Sequence, residues 1–146
     1  MATFSRPATL EWDGDVTSGS GRVTAASAAF AVPATFPSTL GEPAGTTTPE
    51  ELLAASHATC YGVGLRSLIG RRGGWARRVT VTAIITAEKG PQGIRIQSSH
   101  LATVIEALEG IDQAQLQELA REVEEGCAIS VALRGTVAIT SEVTIE

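Results

Sequence analysis

Residues 46–61 read Thr46-Thr47-Thr48-Pro49-Glu50-Glu51-Leu52-Leu53-Ala54-Ala55-Ser56-His57-Ala58-Thr59-Cys60-Tyr61, and the rest of the chain is organised around them. Thr48 has the side chain of a helix N-cap, Pro49 suits the first helical position, and Glu51 completes a T-x-x-E capping box. Glu50 and Glu51 oppose the positive end of the helix macrodipole, while Arg66, Arg71 and Arg72 oppose the negative end. These signals predict a helix over residues 49–69. Its apolar residues occur nearly all round, the pattern of a helix buried on most faces. Gly62 and Gly64 lie inside it, each costing about 1 kcal/mol against alanine. Another backbone is therefore expected to approach closely there, from a crossing helix or a partner subunit.

Towards the N-terminus the pattern is β. Thr9-Leu10-Glu11-Trp12 alternates, Asp13-Gly14-Asp15 is a turn, and Gly21-Arg22-Val23-Thr24-Ala25 resumes an extended pattern. Residues 33–48 are rich in Pro, Gly and Thr, a loop longer than most connections and of the kind that often carries function. Towards the C-terminus, residues 78–87 form a β-branched strand, 88–93 a turn, and 94–108 a long return strand. Asp112 caps a second helix with Leu116, Leu119, Ala120 and Val123 on one face. A short helical piece over 129–133 and a closing strand over 136–145 follow. The expected class is α+β, with antiparallel sheets around two main helices. No internal repeat or linker divides the chain, so residues 1–146 are expected to form a single domain.

Composition narrows the functions. With 146 residues, 43% hydrophobic and 18% charged, the chain is long enough for a core and too apolar for disorder. A net charge of -5 gives no attraction for nucleic acid or anionic membrane, and neither is expected as a partner. Arg71-Arg72 with Arg77-Arg78 is the only basic cluster, short enough to be a helix end and loop. No run of about 18 apolar residues predicts a membrane span. The first seven residues lack the charged-then-apolar pattern of a signal peptide. The expected compartment is the cytoplasm, where a transient disulfide is acceptable and a structural one is not.

Few side chains offer chemistry. Cys60 sits in an apolar helix and Cys127 follows Gly126. The two are either inert core residues or a peroxidatic and resolving couple. Cys60 lies too far along its helix for the N-terminal dipole to lower its pKa, so activation needs a cation or donor from elsewhere. Ten residues separate Glu50 from Cys60, about 15 Å of helix rise, so the two do not touch along a straight helix. Glu50 is better suited to holding an arginine guanidinium in place. His57, three residues before Cys60, reads either as a dyad partner or as a satisfied core histidine. His100 is on a different strand, and a structural zinc site lacks its ligands. No P-loop, dinucleotide fingerprint or nucleophile elbow occurs, and no cofactor or metal is expected.

The stretch 46–61 resembles the signature of the OsmC/Ohr family, the osmotically inducible protein C and organic hydroperoxide resistance proteins. Glu125-Gly126-Cys127-Ala128-Ile129-Ser130-Val131-Ala132-Leu133-Arg134-Gly135 resembles the family's second cysteine motif, usually Cys-Pro-x-Ser. The resemblance implies an OsmC-like fold and an intertwined homodimer with two active sites at the subunit interface. It implies a thiol peroxidase in which Cys60 attacks an organic hydroperoxide, such as a fatty-acid peroxide, and becomes a sulfenic acid. Cys127 then resolves it to a disulfide, and a lipoyl-type dithiol reduces that. Glu50 matches the family glutamate that orients a catalytic arginine.

One departure bears on activity. The family's arginine lies upstream of Pro-Glu-Glu, where this chain has Phe36-Pro37-Ser38-Thr39-Leu40-Gly41-Glu42. A thiolate in an apolar setting without a cation is disfavoured by desolvation. Either another arginine substitutes, Arg22 being the nearest upstream, or the protein is a catalytically weak binding or redox-sensing dimer. Ala128 at the usual proline position loosens the backbone after Cys127 without removing a reacting atom.

Overall fold

Alternating residues near the N-terminus build a small antiparallel meander. The computed structural model describes residues 1–35 and 44–146, and the chain divides into two compact units, Met1–Pro49 and Glu50–Glu146. In the first, β1 (Ala8–Asp13), β2 (Ser20–Ala25) and β3 (Ala31–Ala34) pair antiparallel in that order. The β1–β2 turn is tied by Asp15, whose Oδ1 accepts from the Thr17 amide at 3.0 Å and the Ser18 amide at 2.6 Å. Trp12 pairs with Gly21 across the ladder, and its ring occupies the space a Cβ at Gly21 would need. The loop expected from residue 33 starts later: Ala31–Ala34 is β3, extended by a Thr35 amide donating to the Thr47 carbonyl at 2.9 Å.

α1 (Pro49–Arg71) starts at the predicted residue and runs two residues past the predicted end. It stops where the Gly73 amide donates to the Gly70 carbonyl and Gly73 takes a φ of +81°. Its buried side chains are His57, Tyr61, Leu65 and Ile69, a stripe at steps of four. Val63 is 67% exposed, so within this chain the helix buries one face rather than most of them.

The second sheet has the order β4 (Arg78–Gly90), β5 (Gly93–Glu106), β6 (Ala138–Ile145). β4 and β5 form a hairpin that pairs to Gly90 and Gly93, leaving Pro91-Gln92 as its turn, with an irregularity between Thr86 and Ala87. The expected turn at 88–93 is thus mostly strand. β6 departs from the antiparallel expectation, because it pairs parallel with β5 from Ser98↔Ala138 to Ile105↔Ile145. The reason is the connection. α2 (Gln113–Gly126) and α3 (Ala128–Leu133) return the chain to the end where β5 began, as a parallel crossover requires.

α2 is capped as the sequence indicates. Asp112 Oδ1 accepts from the Gln115 amide at 2.8 Å, and the Asp112 amide donates to Gln115 Oε1 at 2.9 Å. Leu116, Leu119, Ala120 and Val123 of α2 join Tyr61, Leu65 and Ile69 of α1, Leu101 and Ile105 of β5, and Val143 of β6 in one core. Each large apolar side chain enclosed there contributes about 1.5–3 kcal/mol. The glycines of α1 do mark close approach, although side chains and not a backbone make it. A Cβ on Gly62 would lie 3.2 Å from Val81 Cγ2, and one on Gly64 would lie 3.1 Å from Val123 Cγ1. With two three-stranded sheets and three helices among the described residues, the fold is α+β.

Candidate active site

Cys127 owes its position to a corner. It is at once the C-cap of α2 and the N-cap of α3, with extended backbone (φ −65°, ψ 121°). Its amide donates to the Val123 carbonyl at 2.7 Å and its carbonyl accepts from the Val131 amide at 2.9 Å. Helix bonds on both sides thus fix the residue. Cys60 comes from the middle of α1, which Val123 packs against at Gly64. The two sulfurs lie 2.9 Å apart and share one hydrogen bond, both as free thiols. Cys127 is 5% exposed and Cys60 half-buried. Closing to the roughly 2.04 Å of a disulfide needs a movement of less than a bond length.

The pair holds its protons unequally. Burial pushes the Cys60 thiol up, the neighbouring Cys127 adds to that, and the amides of Ile129 and Ala128 act in the opposite direction. Burial is also the largest single influence on Cys127 and raises it. Yet the Cys60 thiol, the Ser130 amide and hydroxyl, and the Ile129 amide together bring Cys127 below its ordinary value. Cys127 makes no formed capping bond through its side chain, so the Ser130 amide acts as a nearby dipole. These opposite directions make Cys127 the more readily ionised thiol of the pair.

Both cysteines line a cavity of about 700 Å³ whose lining also includes Val63, Leu68, Arg71 and Val123. The lining is mainly apolar and suits an organic substrate with a reactive end at the thiols. Glu122, also on this wall, is paired with Arg72 at 2.8 Å. A separate cavity of about 520 Å³, beside Arg66, Arg77 and Arg78, contains neither cysteine.

Of the residues singled out in the sequence, the structure brings Cys60 and Cys127 together. Glu50 is half-buried in the first turn of α1, and one continuous helix keeps it about 15 Å of rise from Cys60. The segment 36–42, where an arginine was sought, lies outside the described residues. Arg22 is on β2 of the first unit, its Nη2 donating to the Ala31 carbonyl at 3.2 Å. His57 forms no dyad with Cys60. Its Nδ1 is 2.7 Å from Ser99 Oγ and its Nε2 is 2.8 Å from Ser130 Oγ. His100 bonds Thr140 Oγ1 at 2.7 Å, and among the described residues no cluster of three His, Cys, Asp or Glu gathers to hold a metal. Sequence reasoning missed Ser99, 42 residues from its histidine, and Arg71 as a cavity residue. Ser130 was in view, three residues after Cys127, without its partner.

Comparison with known proteins places the chain. The profile of the OsmC-like protein family matches residues 41–142. Peroxiredoxin OsmC of Escherichia coli (strain K12) is 26% identical over 137 residues, spanning 94% of this chain and 95% of that protein. An organic hydroperoxide resistance protein from Elizabethkingia anophelis superposes with a TM-score of 0.80 at 22% identity, covering 99% of both chains. The OsmC organic hydroperoxide resistance protein of Legionella pneumophila gives 0.78 at 24%, again over 99% of both, and these two likenesses establish a shared fold. With a profile match over most of its length and cysteines paired at the corner of α2 and α3, this chain belongs to the OsmC-like protein family.

Proposed function

We propose that this chain is a thiol peroxidase that reduces organic hydroperoxides to alcohols, working as a single-domain homodimer. The observation that carries the reading is the 2.9 Å approach of two free thiols on the wall of an apolar cavity. Relatives named peroxiredoxin OsmC and organic hydroperoxide resistance protein support it. The chain also has a way to activate Cys60 from its own groups. As the Cys60 sulfur attacks the terminal peroxide oxygen, the Cys127 thiolate takes the Cys60 proton across their hydrogen bond. The S–O bond forms, the O–O bond breaks, and the departing alkoxide receives that proton and leaves as an alcohol. Cys127, again a thiolate, attacks the Cys60 sulfenic acid: the S–S bond forms, the S–O bond breaks, and the departing hydroxide takes a solvent proton to leave as water. A lipoyl-type dithiol restores both thiols by exchange. Glu50 acts in this scheme only through an intermediary cation, since α1 keeps it away from the sulfurs.

The test is steady-state turnover of cumene hydroperoxide and hydrogen peroxide with dihydrolipoamide, in wild type, Cys60→Ser and Cys127→Ser. The expected result is preference for the organic peroxide, no turnover in Cys60→Ser, and loss of dithiol-driven cycling in Cys127→Ser. A folded wild type inert to both peroxides would end this reading. It would favour the redox-sensing alternative, to which the absence of arginine from segment 36–42 already points.

A further inference from the structure

The cavity lined by the two cysteines has a second end. Cys60, Gly64, Ser67 and Arg71 all line it, and they follow one another along α1 at the spacing of a single helix face. The cavity is therefore a groove along α1, with Cys60 near one end and Arg71 at the other, about 16 Å of helix rise away. Val63 and Leu68 of α1 and Val123 of α2, which meets α1 at Gly64, give the stretch between them an apolar wall. The same two helices are joined near both ends, by the sulfurs at 2.9 Å and by Arg72 with Glu122 at 2.8 Å.

The charges at the far end do not cancel. Arg71 and Glu122 both line the groove, but Glu122 is taken by Arg72. Among the described residues Arg71 has no carboxylate partner. Compensation of the helix macrodipole accounts for a cation in the last turn of α1, but does not require it to face an apolar cavity. An arginine side chain, which on a helix leans towards the N-terminus, can shorten the span to Cys60 to roughly 10 Å. That is still too far for a hydrogen bond to the sulfur. Arg71 therefore does not replace the arginine absent from segment 36–42, and its charge is directed at whatever fills the groove.

We propose that Arg71 is a specificity-determining residue that anchors a carboxylate at one end of an aliphatic chain whose hydroperoxide reaches Cys60. The guanidinium offers the paired donors that a carboxylate accepts, and the apolar wall between the two ends holds the chain. The proposal rests on the peroxidase reading for the reacting end of the ligand, while the anionic end depends only on the groove. A hydroperoxide with a free carboxylate at matching distance is thus preferred over its own ester, and a compact neutral peroxide reaches the thiols without using Arg71.

The experiment uses the reduced full chain in two arms. In the first, calorimetry measures binding of ω-hydroxydecanoate, an alcohol that cannot oxidise the thiols, beside its methyl ester. The acid is expected to bind wild type about tenfold more tightly than the ester, the advantage of a charge-assisted pair. Arg71→Gln should abolish that ratio and Arg71→Lys keep most of it. Arg66→Gln removes the same charge from the neighbouring cavity of α1 and should leave the ratio unchanged. In the second arm, Arg71→Gln should raise KM for ω-hydroperoxydecanoate about tenfold with kcat unchanged, and leave cumene hydroperoxide unaffected. Equal binding of acid and ester by wild type, a ratio that survives Arg71→Gln, or one lost equally in Arg66→Gln overturns the proposal. A wild type that prefers the acid through Arg71 yet turns over neither peroxide would end the peroxidase reading and leave the carboxylate anchor standing.

Discussion

Burial keeps the His57 imidazole neutral and lowers its pKa from the ordinary 6.5, and stability must reflect that. Above 6.5 neither the folded nor the unfolded chain holds the proton at this residue, and the fold keeps its full stability. As pH falls from 6.5 towards the lowered folded value, the unfolded chain takes up a proton that the folded chain refuses. Stability is lost in that window, at up to about 1.4 kcal/mol per pH unit, and the loss levels off once the folded state also protonates. Urea unfolding between pH 7.5 and 5 should show this slope in wild type and a flatter one in His57→Gln. An equal slope in both would mean that His57 is not the group responsible. Legibility at this scale follows distance along the chain. The cysteines and Ser130 stood inside segments whose residue types already suggested chemistry. Ser99 lay on a strand 42 residues from His57, and no local pattern connects the two.

Elements were legible where local physics decides them. Pro49 and Asp112 mark helix starts that the structure reproduces, because a cap is a contact between near neighbours, here Asp112 with Gln115. The parallel pairing of β6 with β5 was not legible, since strand direction depends on how α2 and α3 carry the chain back. Gly64 is an intermediate case: its sequence position announced a close approach, and only the fold shows that Val123 of α2 makes it. Val123 also accepts the Cys127 amide, so the contact links helix spacing to the thiol pair. In Gly64→Ala, a helix-propensity gain of about 1 kcal/mol opposes an overpacking cost of about 1–3 kcal/mol. Overpacking should win by about 1 kcal/mol, because Val123 is buried in the core and cannot swing aside. The same push moves α2 and its C-cap away from Cys60, so thiol oxidation to the disulfide should slow as well. Denaturant titration beside the rate of disulfide formation checks both. A stabilised variant with an unchanged rate would show that Val123 yields freely.

At the scale of the whole molecule, the apolar residues left uncovered bear on the proposed homodimer. Val63 is 67% exposed, Val131 52% and Ile84 50%, and Val63 lies on the wall of the cysteine cavity. A large apolar side chain at the mouth of an active site is unfavourable to leave in water, and a second copy of the chain covering it would remove that cost. The same cover would exclude water from the thiols, strengthening every electrostatic interaction around them. Assembly and activity should therefore fall together. Val63→Asp, carried by both protomers, is expected to lose about 1.5–3 kcal/mol of association free energy per side chain from the apolar contact alone, raising the dimer dissociation constant by about 150-fold or more. Sedimentation velocity over a dilution series measures that change, and peroxide turnover at the same concentrations measures its consequence. The introduced carboxylate brings its own charge into the cavity, so Val63→Ser serves beside it to separate repulsion from lost contact. A wild type that is monomeric at micromolar concentration, yet turns over organic peroxide fully, would show that the thiol pair and its cavity suffice within one chain.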